Sequence, residues 1–186
     1  MRFLLALVTC CLSISGWSQN FQPTDEGSSV TFKIKNFGLT VQGSFTGLRG
    51  KIQFDSNDLP ASRFDVSIKA TSINTGIDLR DKHLRKKEYF NVEHFSEIRF
   101  ISTRVEASSK PGTYLITARL TLKKITKEIN FEFTAEKQDG GYLFRGEFPL
   151  NRRDYEIGGS SFSMSDVMTV FLDVKVLAGE TQIRIN

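Results

Sequence analysis

The sequence predicts an all-β protein, an antiparallel β-barrel of about eight strands with one short helix inserted. Apolar and polar residues alternate with a period of two over most of the chain, which is typical of strands with one buried face. Short turn signals separate these stretches, so consecutive strands are expected to pair, and closing the sheet removes both edges. Only residues 75–95 interrupt the alternation with a dense charge cluster. A β-sandwich has a similar pattern and remains the structural alternative.

Residues 1–18 are expected to be a secretory signal peptide. Arg2 precedes an apolar run over residues 3–14, and Gly16-Trp17-Ser18 has the small-x-small pattern of a cleavage site. The run is shorter than the roughly 20 residues that a membrane-spanning helix needs. We therefore expect an exported protein, periplasmic or extracellular, whose residues 19–186 form a single domain. Both cysteines lie in the signal, so that domain would be held together without disulfides.

The charge of the chain argues against nucleic acid as a partner. The formal net charge is +4, and loss of Arg2 with the signal leaves +3. The sequence has no basic tail and no interleaving of aromatic and basic residues, which are the usual marks of nucleic-acid binding.

The first half of the chain is predicted to form four strands. Gly47 and Gly50 shift the parity of the apolar positions, which predicts a bulge or bend in the barrel wall. Residues 55–60 have turn composition. The expected strands cover residues 30–35, 37–45, 52–54 and 64–70.

A helix is predicted after Thr75. Thr75 and Asp78 have the spacing of an N-terminal capping pair. Asp78 with Lys82, and Asp81 with Arg85, are spaced for ion pairs on an exposed helix.

The second half again alternates. Asp139-Gly140-Gly141 predicts a hairpin turn, and the stretch 97–106 has the weakest pattern because its apolar residues do not share one parity. The expected strands cover residues 97–106, 114–122, 129–136, 142–150 and 166–177.

The polar positions of these strands are strongly charged, so the apolar positions must point into the barrel. Barrels of eight strands are either filled by side chains or leave room for one small ligand. Small inward residues such as Gly43, Ala118 and Gly146 fit both possibilities, and the pattern alone leaves the choice open. The predicted lumen residues are Phe32, Ile34, Val41, Phe45, Phe54, Val66, Ile68, Ile116, Leu120, Ile129, Phe131, Phe133, Phe144 and Phe148.

Several short motifs resemble those of the YceI-like family in order and spacing. They are S-I-N-T at 72–75 with R-D-K-H-L at 80–84 and Y-F-N-V at 89–92, then I-R-F-I-S-T at 98–103, L-T-L-K-K-I-T-K at 120–127 and N-R-R-D-Y at 151–155. Lys124 stands where the family usually has glycine, and Asn91 replaces an acidic residue. These departures affect turn geometry more than fold.

The resemblance implies a lipocalin-like extended barrel whose apolar lumen binds a polyisoprenoid, either an isoprenoid quinone or a polyprenyl phosphate. It implies no cofactor beyond this lipid. The expected partners are the lipid itself and a transient contact with a membrane surface, with the protein a monomer or a homodimer. Candidates for holding the polar head group near a mouth of the barrel are Arg80, His83 and Arg152. Each also has a structural interpretation: a surface charge pair for Arg80, helix packing for His83, and an ion pair with Asp154 for Arg152.

Catalysis is not expected. His83 and His94 lack the close spacing of metal-binding histidines, and the sequence contains no nucleophile elbow, P-loop or dinucleotide fingerprint. A stress-response or protein-interaction scaffold with a filled barrel is the main alternative to lipid binding, and a hydrolase is a weaker one.

Overall fold

The computed structural model describes residues 20–179, and these form one antiparallel β-barrel with a single α-helix among them. The predicted signal peptide lies outside the described residues. The helix α1 spans Asp78–Leu84, and short 3-10 turns cover Leu59–Ala61, Ala70–Ser72 and Arg152–Tyr155. The strands are β1 Asn20–Pro23, β2 Ser29–Asn36, β3 Leu39–Phe45, β4 Arg49–Gln53, β5 Arg63–Lys69, β6 Glu97–Ala107, β7 Thr113–Leu122, β8 Ile125–Gln138, β9 Gly141–Asn151 and β10 Val167–Ala178.

A ring of eight strands closes the barrel. Strand β1 pairs with both β4 and β10, and β4 through β10 pair consecutively between them. Strands β2 and β3 are additional, with β2 paired to β10 and β3 paired to β2. The predicted barrel with an inserted short helix is therefore confirmed, and the sandwich alternative is wrong. Strand β1 was not predicted because four residues are too few to show a period.

The barrel wall bends where β1 gives way to β2 and where β3 gives way to β4. The Asp25 carboxylate joins the two bends by accepting hydrogen bonds from the backbone N–H groups of Gly47, at 2.8 Å, and Leu48, at 2.9 Å. Gly50 has a φ of +134°, and a Cβ there would overlap the backbone carbonyl of Asp65. The bend predicted at Gly47 and Gly50 thus has a steric cause.

The two ends of the barrel differ. At one end, here called the helix end, lie the β2–β3 turn, residues 70–96, the β7–β8 turn and residues 152–166. At the other, the turn end, lie the β4–β5, β6–β7 and β8–β9 connections. All the long connections of the described chain are therefore gathered at the helix end.

Aromatic side chains fill the turn end. Phe54 is at the centre of this aromatic plug, and its ring makes edge-to-face contacts at centroid distances of 5.2–6.3 Å, a favourable arrangement for aromatic pairs. The rings around it belong to Phe64, Tyr114, Phe133, Tyr142 and Phe144. This part of the interior is packed solid.

The weak pattern of β6 comes from a shift in register. Its pairing with β7 slips between Ser102 and Arg104, so the residues on either side of the slip have opposite parity. The buried Ser102 hydroxyl accepts a hydrogen bond at 2.8 Å from the backbone N–H of Phe64, which compensates for the irregular ladder.

The predicted local interactions of α1 are wrong. Asp81, not Asp78, accepts from both the backbone N–H and the hydroxyl of Thr75, and Asp81 is buried. Arg85 does not pair with Asp81 but donates to the backbone carbonyls of Thr71, at 2.9 Å, and Ile73, at 2.7 Å. Within residues 20–179, no ion pair joins Asp78 to Lys82. The charges of α1 therefore fasten it to the chain before it.

Candidate functional site

An apolar cavity of about 170 Å³ lies inside the barrel, between the aromatic plug and the helix end. Most of the predicted lumen residues are on its wall. They are Phe32, Phe45, Val66, Ile68, Ile116, Leu120, Phe131, Phe133, Phe144 and Phe148. The structure shows their position, while their contact with a ligand remains a prediction.

The cavity is long compared with its volume. Its wall follows β9 from Phe144 to Leu150 and β10 from Val174 to Met168. Six residue steps along a strand span about 20 Å. The space therefore has the proportions of a narrow channel suited to an extended chain.

The remaining predicted lumen residues pack in or against the hydrophobic core and do not line the cavity. Phe54 belongs to the aromatic plug. Ile34 and Val41 face each other across β2 and β3, beyond the closed ring, and Ile129 pairs with Ala118 across β8 and β7. Their inward parity was read correctly, but parity does not indicate how far along the barrel the empty space extends.

Strand β10 supplies cavity residues that the lumen prediction left out. Met168, Val170, Leu172 and Val174 point inward yet remain half-buried. An inward side chain keeps accessible surface only when it borders empty space, so this strand faces the cavity directly. Its clean alternation was a sufficient signal to include these residues.

Two residues from connecting segments cover the cavity at the helix end. Phe90 and Ile157 are both buried and both line the cavity. The backbone N–H of Gly158 donates to the carbonyl of Glu88 at 2.8 Å and ties the two segments together. Neither segment has a periodic pattern, so the alternation that reveals the strands does not identify Phe90 and Ile157 as cover residues.

Arg80 is at the helix end, on α1. Its Nε donates to the Thr75 hydroxyl at 2.7 Å and its Nη2 to the Thr75 carbonyl at 2.7 Å. Its Nη1 has no hydrogen-bond partner within residues 20–179. Arg80 therefore helps to fix α1 and still has donors that could face a ligand.

His83 lies on the outer surface of the same helix. It is exposed, and its ring packs on the ring of Tyr89 with the centroids 4.9 Å apart. The Tyr89 ring in turn approaches Gly158. His94 is exposed on a turn, and its Nδ1 lies 3.2 Å from the side-chain oxygen of Asn91.

Arg152 is held inside the protein. It is only 1% exposed, and its guanidinium donates to the backbone carbonyls of Ser165, at 2.9 Å, Ile157, at 2.9 Å, and Gly159, at 2.8 Å. Its Nη2 also pairs with the Asp166 carboxylate at 2.7 Å. The ion pair that the sequence suggested between Arg152 and Asp154 does not form. Oδ1 of Asp154 instead lies 3.7 Å from Nζ of Lys127. Arg152 thus anchors the 156–166 loop.

The three candidate head-group residues are therefore not equivalent. All are at the helix end, but Arg152 has its donors engaged by the chain itself, whereas Arg80 and His83 are accessible. Because the cavity wall is apolar, a polar head group would have to lie outside it, at an end. The helix end offers it the basic side chains.

No cluster of three or more potential metal ligands occurs among residues 20–179. No helix within that range is both long and apolar enough to cross a membrane.

Comparisons with known proteins agree with the fold. The family model for the YceI-like domain matches residues 21–176. A UPF0312 protein of Photorhabdus laumondii is 36% identical over 61% of this chain and 60% of the relative, so the match spans under two thirds of that protein. BcnA of Burkholderia cenocepacia superposes with a TM-score of 0.75 at 17% identity, covering 81% of this chain and 96% of BcnA. A polyisoprenoid binding domain from Saccharophagus degradans, implicated in plant cell wall breakdown, gives 0.70 at 17% identity, covering 86% and 98%.

Proposed function

This chain belongs to the YceI-like family, and on that premise we propose that it binds and carries an isoprenoid lipid in its barrel cavity. The observation that carries the proposal is the narrow apolar channel, about 20 Å long, between the aromatic plug and the helix end. Burial of an apolar chain contributes about 25 cal/mol per Å², so a ligand held there needs few polar contacts. The polyisoprenoid binding domain of similar fold supports the choice of ligand class.

The ligand is an isoprenoid quinone or a polyprenyl phosphate, with its chain in the channel and its polar group at the helix end. Arg80 and His83 are the residues that contact this group. A guanidinium favours a phosphate, and either side chain can donate to a quinone carbonyl. Arg152 supports this end indirectly, by fixing the loop that carries Ile157.

A cavity of about 170 Å³ is smaller than the roughly 300–1,000 Å³ of common ligand pockets, so the bound chain requires side chains to move. Met168 lines the helix-end part of the channel and has a flexible, unbranched side chain. Rotation of such residues widens the channel without changing the strands.

Export through the segment 1–18 is part of the proposal. An exported carrier would move a lipid through an aqueous compartment outside the cytoplasm, where its free concentration is very low. The proposed activity is non-catalytic binding.

The second candidate is a protein-interaction scaffold with a filled barrel. The aromatic plug favours it, because the turn end of the lumen is already packed. The two functions differ in whether the remaining channel is occupied.

Native mass spectrometry of the protein produced from the full chain, before and after extraction with organic solvent, tests the proposal. A bound mass that extraction removes, and that proves to be an isoprenoid, is the expected result. A protein that emerges empty and takes up neither a quinone nor a polyprenyl phosphate would favour the scaffold.

A further inference from the structure

The exposed large apolar residues are concentrated at one end of the molecule. Phe37 is 80% exposed, Leu39 73% and Leu79 79%, and Phe162 is fully exposed. Folded proteins seldom leave several such side chains together in water without a function for them. Ile77 and Val167 are exposed at this same helix end, and of the large apolar residues exposed among residues 20–179 only Leu177 lies at the turn end.

These side chains lie on a turn, a strand end, a loop and the first turn of the helix. Phe37 is in the turn between β2 and β3, and its backbone N–H donates at 2.7 Å to the carbonyl of Ser163, next to Phe162. Leu79 is in the first turn of α1, near the segment that bridges to β3 through Asn74 and Ser44. We call Phe37, Leu39, Leu79 and Phe162 the apolar rim.

Basic residues surround this rim. The segment 80–88 contains five of them, and the helix end as a whole carries nine, one of them the buried Arg152, against seven acids, one of them the buried Asp81. Lys123 and Lys124 form the β7–β8 turn at the same end. At the turn end, by contrast, Asp55, Asp58 and Asp139 balance Arg63, Lys110 and Lys137. The helix end therefore has a small net positive charge of +2, whereas the turn-end residues cancel, and this excess accompanies the exposed apolar side chains. The five basic residues are Arg80, Lys82, Arg85, Lys86 and Lys87.

We propose that the helix end is a membrane-docking surface that inserts the apolar rim into the interface of an anionic lipid bilayer. Apolar side chains on protruding turns, surrounded by lysine and arginine, have the chemistry that binds such an interface. A second copy of the chain fits less well, because two helix ends facing each other would place like charges together.

Docking at this end also brings the cavity to the membrane. Phe90 and Ile157, which cover the channel, lie on the segments that carry or adjoin the rim. A lipid entering from the bilayer would thus meet the covered end of the channel directly. This consequence depends on the proposed carriage of a lipid, but the docking surface itself does not.

Co-sedimentation with vesicles of phosphatidylcholine, with and without phosphatidylglycerol, tests the proposal. The rim variant combines Phe37→Asn, Leu79→Gln and Phe162→Ser. Asparagine suits the positive φ of 49° at residue 37, and all three side chains are exposed, so folding should be retained. The matched control is Leu177→Gln, which removes an exposed apolar side chain from the turn end.

We expect the parent and the Leu177 variant to bind anionic vesicles with equal affinity. The affinity of the rim variant should be lower by a factor of about ten or more. Absence of vesicle binding by the parent would overturn the proposal. The proposal would also be overturned if salt abolished vesicle binding and the rim variant bound as well as the parent, because such binding is purely electrostatic. A parent dimer in light scattering that the rim variant loses would assign the rim to a second copy. Vesicle binding and bound cargo are measured separately, so either proposal can fail without the other.

Discussion

Arg152 gives the sharpest test of how the helix end is built. The sequence placed it among the head-group residues, whereas the structure surrounds its guanidinium with four backbone carbonyls and Asp166. Replacing it with Met, which has a similar length, removes the charge and every donor. We expect this substitution to destabilise the fold and to leave the affinity of the folded protein for its lipid nearly unchanged.

The magnitude follows from the contacts. Breaking a buried ion pair by removing one partner typically costs about 3–5 kcal/mol. Asp166 is half-exposed, so water can solvate its freed carboxylate, which lowers the cost. The carbonyl of Ile157 is left without a donor next to the cavity cover. A loss of about 3–4 kcal/mol in the free energy of unfolding is therefore expected for Arg152→Met.

The neighbouring Arg153 provides the control. Its side chain is partly exposed and lies 3.9 Å from the same Asp166 carboxylate, a contact worth at most about 1 kcal/mol. Urea unfolding of both variants gives the two free energies, and a lipid-retention measurement on the folded fraction separates stability from binding. Arg152→Met proteins that unfold like the parent but lose their lipid would refute the structural role.

Two further predictions concern the wall and the buried hydroxyl. Gly50→Ala is expected to lower the free energy of unfolding by about 3 kcal/mol or more, because its Cβ would overlap the backbone of Asp65. Gly112 has open space around it, so Gly112→Ala should lower that free energy by only about 1 kcal/mol. Equal losses for the two variants in urea unfolding would contradict the close approach at Gly50. Burial, and secondarily the charge of Asp154, raises the pKa of Tyr155 to about 12 from an ordinary value of 10.0. The folded state thus favours the neutral phenol. The contribution of this preference to the free energy of unfolding is complete below pH 10 and is lost as the pH rises towards 12. Tyr155→Phe should escape this loss, so its stability relative to the parent should grow by up to about 2–3 kcal/mol over that range; a difference that stays constant with pH would contradict the argument.

The barrel could be predicted because its determinants are local. The strands alternate residue by residue, and Gly50 signals its own bend. The same alternation also continues beyond the barrel. Leu39 has the parity of the inward residues Val41 and Phe45, yet it projects past the barrel edge into solvent. A period of two records which face a residue occupies but not whether anything lies opposite that face.

The candidate site was harder to predict because its determinants lie far apart in sequence. The partner of Arg152 is fourteen residues away, across a loop of irregular backbone, and no spacing rule links the two. Thr75 was assigned to Asp78 on a capping rule, but the carboxylate of Asp81 reaches it because α1 folds back on the preceding segment. Phe90 and Ile157 cover the cavity from segments without any period.

The central claim is that the channel between the aromatic plug and the helix end holds a prenyl chain. Val170 lines this channel on β10, and Thr169 beside it points outward. Uptake of a polyprenyl phosphate or an isoprenoid quinone by the solvent-extracted protein, measured by native mass spectrometry, is compared for the parent, Val170→Trp and Thr169→Trp. We predict that the parent and Thr169→Trp gain the mass of one lipid and that Val170→Trp, with its channel filled, does not. Equal uptake by Val170→Trp, or no uptake by the parent, would contradict the claim.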